Sequence, residues 1–373
     1  MAGLYLHIPF CKSRCIYCSF YSTTLENRIP DYVEAVCREM TLRPSPFVFH
    51  TVYLGGGTPS LLPERLLRQL FEAMTEAYSI DTAEEVTIEC NPEDVTEDFA
   101  EVLHTLPINR VSMGAQTFSD ERLTFLRRRH DARQVRTAVE RLRRASIENI
   151  SIDLMYGFPG ESLFDWQQDI QEALTLDVEH LSAYCLSIDK GTSLSRMIQQ
   201  QQVKPADEET CLAMYYLLLD TLKNTGYEHY EISNFAKPGF ASRHNSGYWN
   251  GTPYWGLGAA AHSYDLSVRQ WNVADVNTYI QALSEGHLPV EEKEVIDIST
   301  HYNDYVMTAL RTRQGMDISA FRQQFPEKYY KYLMEQAKKH LEGQLLACDE
   351  RYLRLTRKAL FISDTVLSDL MFV

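Results

Sequence analysis

Six short runs rich in apolar, β-branched and aromatic residues recur at 4–9, 51–54, 85–90, 110–114, 150–155 and 180–188. Each is followed by a segment with apolar residues at helical spacing, at 31–42, 63–78, 98–106, 120–145, 163–174 and 207–225. Strands that alternate with helices build βαβ units and a parallel sheet. Their crossovers are right-handed, so successive units curl the sheet in one sense. Six such units make most of a barrel. The expected fold is an α/β, partial (β/α)6 barrel of TIM-like kind over residues 1–240. In barrels of this kind the chemistry sits at the C-terminal ends of the strands.

The unusual residues fall at those ends. Cys11, Cys15 and Cys18 follow the first run, in HIPFCKSRCIYC. Gly55-Gly56-Gly57-Thr58-Pro59 follows the second, and Glu89, Asn91 and Pro92 close the third. Gln116 closes the fourth, and Asp153 with the turn Gly157-Phe158-Pro159-Gly160 closes the fifth. One such turn is only a βα connection. Five in series, beside clustered cysteines, mark the mouth of a site. Three thiolates spaced C-x3-C-x2-C can face one point, and soft sulfur selects soft metals and iron–sulfur clusters. Three ligands leave one iron of a cubane open to a small molecule. Zinc is the competing reading and needs a fourth ligand, for which His7 is nearest. Asp153, between Ile152 and Leu154, needs a partner because burying a lone carboxylate is costly.

A net charge of −15 disfavours non-specific binding to nucleic acid or an anionic membrane. No apolar run is long enough to span a bilayer, and the first residues lack the charged region of a signal peptide. A cytoplasmic protein is expected, where thiols stay reduced. The scattered Cys37, Cys90, Cys185, Cys211 and Cys348 then read as small buried apolar residues. After residue 240 the character changes. Residues 241–300 read as an aromatic-rich connecting segment, in which Glu291-Glu292-Lys293-Glu294 is a solvated connection. Residues 301–373 read as a mostly helical domain of winged-helix type, with a short strand pair near 345–355.

The triad, with YLGGGTPSLL, IECNPE and HNSGYW, resembles the radical S-adenosylmethionine (SAM) superfamily. Within it, the chain resembles the oxygen-independent coproporphyrinogen III oxidase-like family over nearly its whole length. The resemblance implies a barrel of the radical SAM type and a [4Fe–4S] cluster on Cys11, Cys15 and Cys18. It implies SAM as second cofactor, chelating the open iron and cleaved to a 5′-deoxyadenosyl radical. It also implies SAM contacts from Tyr5, Gly56, Gly57, Thr58, Glu89, Gln116, Arg128 and Asp153. The glycines would let backbone approach the methionyl amino group, and Glu89 would accept from ribose hydroxyls or the ammonium. The Arg128 fork would suit the SAM carboxylate. Without the resemblance, Arg127-Arg128-Arg129 reads as one solvated helix face, and Tyr5 as core.

Two activities occur in that family. The oxidase members carry a further cysteine two residues after the triad, where Phe20 stands here, and a long extension before the first strand. The pattern H-N-x-x-Y-W marks the heme-chaperone branch; here it is His244, Asn245, Tyr248 and Trp249. The resemblance thus implies a protein that binds heme and transfers it to client hemoproteins. His244 is the candidate axial ligand, with Tyr248, Trp249, Tyr254 and Trp255 as flat walls. His262 and Cys185 are weaker candidates. A packed cap on the barrel floor or domain junction is the competing reading of this segment. The alternative activity is oxidative decarboxylation of porphyrinogen propionates, a SAM-dependent coproporphyrinogen dehydrogenase reaction. An electron donor such as a flavodoxin or ferredoxin, and a homodimer, are further expectations.

Overall fold

The computed structural model describes residues 2–373. Its six leading strands are β1 (Ala2–Ile8), β2 (Phe49–Gly56), β3 (Glu85–Cys90), β4 (Arg110–Gln116), β5 (Asn149–Tyr156) and β6 (His180–Cys185). They pair in chain order, each parallel to the next. Successive side chains on a strand point to opposite faces. Leu4, Leu6, Val52, Leu54, Ile88 and Ile152 belong to one alternating set and are fully buried with the crossing helices. The helix Glu64–Tyr78 contributes Leu66, Leu67, Leu70 and Met74 to that layer.

The opposite set is polar. Tyr5, Tyr53, Glu89, Arg110, Ser112, Asp153 and His180 share it, joined across strands by short bonds. Tyr53 Oη donates to Glu89 Oε1 at 2.8 Å, and Ser151 Oγ lies 2.7 Å from His180 Nδ1. Parallel strands usually read apolar on both faces. A polar inner face is what a sheet curled around ligands, rather than around a hydrocarbon core, requires.

The curl stays open. β7 (Glu228–Glu231) and β8 (Asn234–Ala236) extend the sheet antiparallel beyond β6. On the other edge β9 (Tyr254–Leu257) runs parallel to β1, pairing Gly3 with Tyr254 and Leu6 with Leu257. β10 (His262–Tyr264), β11 (Val268–Asn272) and β12 (Val290–Val295) follow antiparallel, which makes twelve strands in all. Residues 241–300 are therefore more than a connection. Glu291, Glu292, Lys293 and Glu294 lie in β12, an exposed edge strand, where charge blocks further strand pairing.

The stretch 120–145, read as one helix, is two: Asp120–Phe125 and Ala132–Arg144. Arg127 takes the left-handed conformation, φ +60°. Asp131 then starts the second helix with a reciprocal cap to Gln134. Arg127 to Arg129 thus form a break between helices and not a helix face.

Helix Ile298–Arg311, β13 (Met316–Asp317), helices Ile318–Gln324 and Glu327–Glu342, β14 (Leu346–Cys348) and β15 (Tyr352–Leu355) follow in the order of a winged helix. They share a separate core that includes Tyr302, Phe321, Phe325, Tyr329 and Leu353. Of the five scattered cysteines, Cys90 and Cys211 are buried as expected, Cys37 and Cys185 are half-buried, and Cys348 is exposed on edge strand β14. Among the described residues no helix is long and apolar enough to cross a membrane.

Candidate functional site

The cysteine loop leaves β1 and is pinned at both ends by backbone bonds. Cys11 N donates to Thr23 O at 2.9 Å, and Thr23 N returns to Pro9 O at 2.7 Å. Midway, Ile16 N donates to Leu126 O at 3.3 Å. All three triad cysteines are half-buried free thiols. Burial pushes the Cys11 and Cys18 thiols up. Metals bind the thiolate, so loading this loop must release protons.

A chain of side chains links two of the cysteines. Thr58 Oγ1 lies 3.6 Å from Cys11 Sγ, and Asn91 Nδ2 donates to Thr58 Oγ1 at 3.2 Å. Arg128 Nη2 donates to Asn91 Oδ1 and to the Gly114 carbonyl, both at 2.7 Å, while Nη1 lies 3.7 Å from Cys15 Sγ. The helix break places Arg128 here. Asn91 was expected at the mouth of the site, though with no role as a link; Gly114 was not among the expected site residues. A Cβ on Gly114 would stand 2.7 Å from Gln116 Nε2 and 3.2 Å from the Arg128 guanidinium. An isolated glycine inside a strand pattern signals such close approach, and it was the available clue.

The other expected residues gather at the same strand ends. Glu89 accepts from Tyr53 Oη and, at 3.0 Å, from Gly56 N. Burial pushes its carboxyl up to about 7, with the Tyr53 bond opposing. Burial likewise raises Asp153, with hydrogen bonds from Ser182 and from Ser112, whose Oγ is 3.5 Å away, opposing. Gln116 ends β4 in a left-handed conformation, φ +67°, which a non-glycine residue adopts only at a cost. Tyr5 lies deeper, its Oη 3.0 Å from His7 Nδ1. The glycines answer to protein packing. Gly56 has φ +112°, and a Cβ there would stand 2.6 Å from the His7 ring. One on Gly57 would stand 2.7 Å from the Pro9 backbone. The missing side chains let β2 close on β1, a packing requirement beside the expected approach of a ligand.

The donor set fits an iron–sulfur cluster. Three thiols lie on one short loop, and the Thr58 hydroxyl and Arg128 guanidinium approach two of the sulfurs. Zinc fits less well. His7, its fourth ligand, is buried with Nδ1 held by Tyr5 and Nε2 3.0 Å from Tyr21 O. Among the described residues no three His, Cys, Asp or Glu side chains converge on a single ion.

Residues 5–173 match the Radical SAM superfamily, and residues 299–362 match the HemN C-terminal domain. A protein of Lactococcus lactis named heme chaperone HemW is 32% identical, over 97% of this chain and 95% of its own. The chain belongs to the radical SAM superfamily, in its HemN-like family. HemW of Bacillus subtilis is 33% identical over 88% of this chain and 87% of its own length. Among solved structures, the coproporphyrinogen III oxidase HemN of Escherichia coli superposes with a TM-score of 0.85. It covers 99% of this chain and 89% of that one at 20% identity, which establishes the shared fold. The cofactors of this superfamily are a [4Fe–4S] cluster and SAM.

The H-N-x-x-Y-W residues lie elsewhere, on the helix Arg243–Trp249 under the N-terminal ends of β1 and β2. His244 stacks on Tyr53 with ring centroids 5.1 Å apart. Its Nδ1 lies 2.8 Å from Thr51 Oγ1 and its Nε2 3.0 Å from Tyr248 Oη. Both ring nitrogens are engaged and the ring is buried, so the expected open axial ligand is here a floor residue of the sheet. Asn245 lies in the first turn of that helix, where its backbone N–H donates to the capping Ser242 Oγ at 3.3 Å. Tyr248 and Trp249 face a cleft of about 1060 Å³. Tyr254 lines it too, whereas Trp255 packs under the Arg43 guanidinium. His262 stacks on Trp271, and Cys185 lies beside Cys211 across Gly157, on the far side of the sheet from the H-N-x-x-Y-W helix.

Burial, with the Arg110 charge second, holds His244 down at about 3. The unfolded chain therefore takes up this proton first. The stabilisation is complete above the ordinary value of about 6.5 and is lost as pH falls below it, by about 2 kcal/mol at pH 5. Denaturant unfolding from pH 8 to pH 5 should show a shallower acid slope for His244→Gln than for the parent. Equal slopes would mean that His244 titrates freely.

Proposed function

We propose that this protein is a heme chaperone, which binds heme and passes it to client hemoproteins. The observation that carries the reading is the match to proteins named heme chaperone HemW, at 32% identity over 97% of the chain. The likeness to the oxidase HemN is 20% identical and speaks to fold. Phe20, at the position where the oxidase has its further cysteine, is an exposed phenylalanine and supplies no metal ligand. A cytoplasmic setting, a flavodoxin- or ferredoxin-type electron donor and a homodimer complete the proposal.

In this reading Cys11, Cys15 and Cys18 hold the cluster. When bound, the cluster supplies single electrons to SAM. The chain's own groups position that second cofactor. Arg128, fixed by Asn91 and Gly114 O, offers a preorganised guanidinium to a carboxylate. Glu89 is poised near neutrality to accept a hydrogen bond or hold a proton at its Oε atoms. Gln116, Thr58, Gly56, Gly57, Asp153 and Tyr5 frame the same polar face.

Anaerobically reconstituted protein, titrated with heme and followed at the Soret band, should saturate near about one heme per chain. In parallel, coproporphyrinogen III with SAM and a reductant should give no decarboxylated product. Turnover of coproporphyrinogen would replace this reading with the oxidase one.

A further inference from the structure

The cleft of about 1060 Å³ lies where the floor of the sheet meets the C-terminal domain. Small-molecule sites run from about 300 to 1,000 Å³, so it is large enough for a porphyrin-sized ligand. One wall is aromatic, built from Tyr248, Trp249, Tyr254 and Tyr264. Arg311 covers the Trp249 ring at 4.8 Å and holds it in place. The other wall is the helix Ile298–Arg311, which presents His301 and Tyr305.

His301 differs from His244 in the one property an iron ligand needs. Its ring is braced against Phe325 at 4.9 Å. Among the described residues its nitrogens have no hydrogen-bond partner, and it is only half-buried. The charges around the cleft sort in the same way. Asp304 is neutralised by Arg269, and Asp317 by Arg351 at 3.0 Å. Arg354 is held by Asp349 and the Gln314 carbonyl. Arg313 is exposed, lines the cleft and has no carboxylate partner among the described residues. Glu228 lines the cleft without a basic partner among the described residues, on strand β7, whose Tyr230 carbonyl accepts from Arg313 N at 3.0 Å.

We propose that this interdomain cleft is the heme site, with an imidazole nitrogen of His301 as iron ligand and the Arg313 guanidinium on a propionate. The inference rests on the heme-chaperone reading above. A neutral imidazole is a common protein ligand for heme iron, a guanidinium fork matches a carboxylate, and a macrocycle is held by flat aromatic walls. Tyr248 and Trp249 then serve as wall, and His244 as the support that fixes Tyr248 through its hydroxyl. Both domains contribute to the site, so closing or parting them would grip or release the ligand.

The test titrates hemin into the full-length parent, His301→Gly, Arg313→Gln and His244→Gln, read by Soret position and affinity. The expected result for His301→Gly is a shifted Soret band and affinity weakened by about tenfold or more. Added imidazole should restore the parent spectrum, which a misfolded variant would not allow. Arg313→Gln should weaken affinity with the band unmoved, and His244→Gln should keep the parent band position. An unchanged band and affinity in His301→Gly overturn the site. Loss of the parent band in His244→Gln alone would instead return the ligand to that residue. A parent that fails to saturate with hemin sinks the chaperone reading itself, and this inference with it.

Discussion

Cys15→Ala is expected to fold as the parent does and to lose the cluster entirely. The fold survives because the loop is held by backbone, through Cys11 N to Thr23 O, Ile16 N to Leu126 O and Thr23 N to Pro9 O. None of these involves the Cys15 sulfur. That sulfur meets only weak side-chain partners, Arg128 Nη1 at 3.7 Å and the Tyr17 hydroxyl. Removing a half-exposed thiol with weak contacts should cost about 1 kcal/mol or less. The cluster, in contrast, has three protein ligands in this proposal and none to spare. Anaerobic reconstitution followed by iron and sulfide determination and visible absorption reads the cluster, and far-UV circular dichroism reads the fold. A Cys15→Ala protein with the parent's iron content and spectrum would remove Cys15 from the ligand set.

The second large effect belongs to Arg128. Its guanidinium satisfies Asn91 Oδ1 and the Gly114 carbonyl, and Asn91 in turn holds Thr58 against Cys11. Alanine here leaves two acceptors unpaired at once, at a cost of about 2–4 kcal/mol. The same change removes the cation offered to the SAM carboxylate, so SAM affinity should fall by more than about tenfold. Lysine keeps the charge but not the fork, and cannot serve Asn91, Gly114 and Cys15 together. It should recover part of the stability and little of the affinity. Arg129 is the control. It is exposed and pairs with Glu93 at 3.6 Å, so Arg129→Ala should cost about 1 kcal/mol or less and leave SAM binding unchanged. Denaturant midpoints and equilibrium dialysis separate these outcomes. Equal behaviour of the two alanine variants would reduce Arg128 to a surface charge.

Arg128 also shows what the sequence could and could not convey. The six strands and the triad were legible because short β-rich apolar runs and cysteine spacing are local signals. The break at Arg127 was not, because 120–145 keeps helical spacing through it. The Asp131 and Gln134 cap was the one local sign of it. The glycines of 55–57 were noticed for their absent side chains, but the packing demand on Gly56 and Gly57 was not legible. The His7 ring and the Pro9 backbone that demand them are some fifty residues away in sequence. His244 was seen as a histidine among aromatics. That Thr51 and Tyr248 occupy both its nitrogens is a tertiary fact, and so is the freedom of His301. Strand β9 escaped notice because Gly256 and Gly258 break up its short apolar run.

The parallel pairing of β1 with β9 bears on how the protein is made. Residues 2–8 leave the ribosome well before residues 254–257, yet one flank of that strand waits for them. At about 5–20 residues per second the delay is some tens of seconds. During that time the nascent chain presents an unpaired parallel edge immediately before its three cysteines. Metal delivery to the loop is therefore expected to be productive only late in synthesis. Chains that stall before residue 254 should be caught by holdase chaperones, or aggregate through that edge.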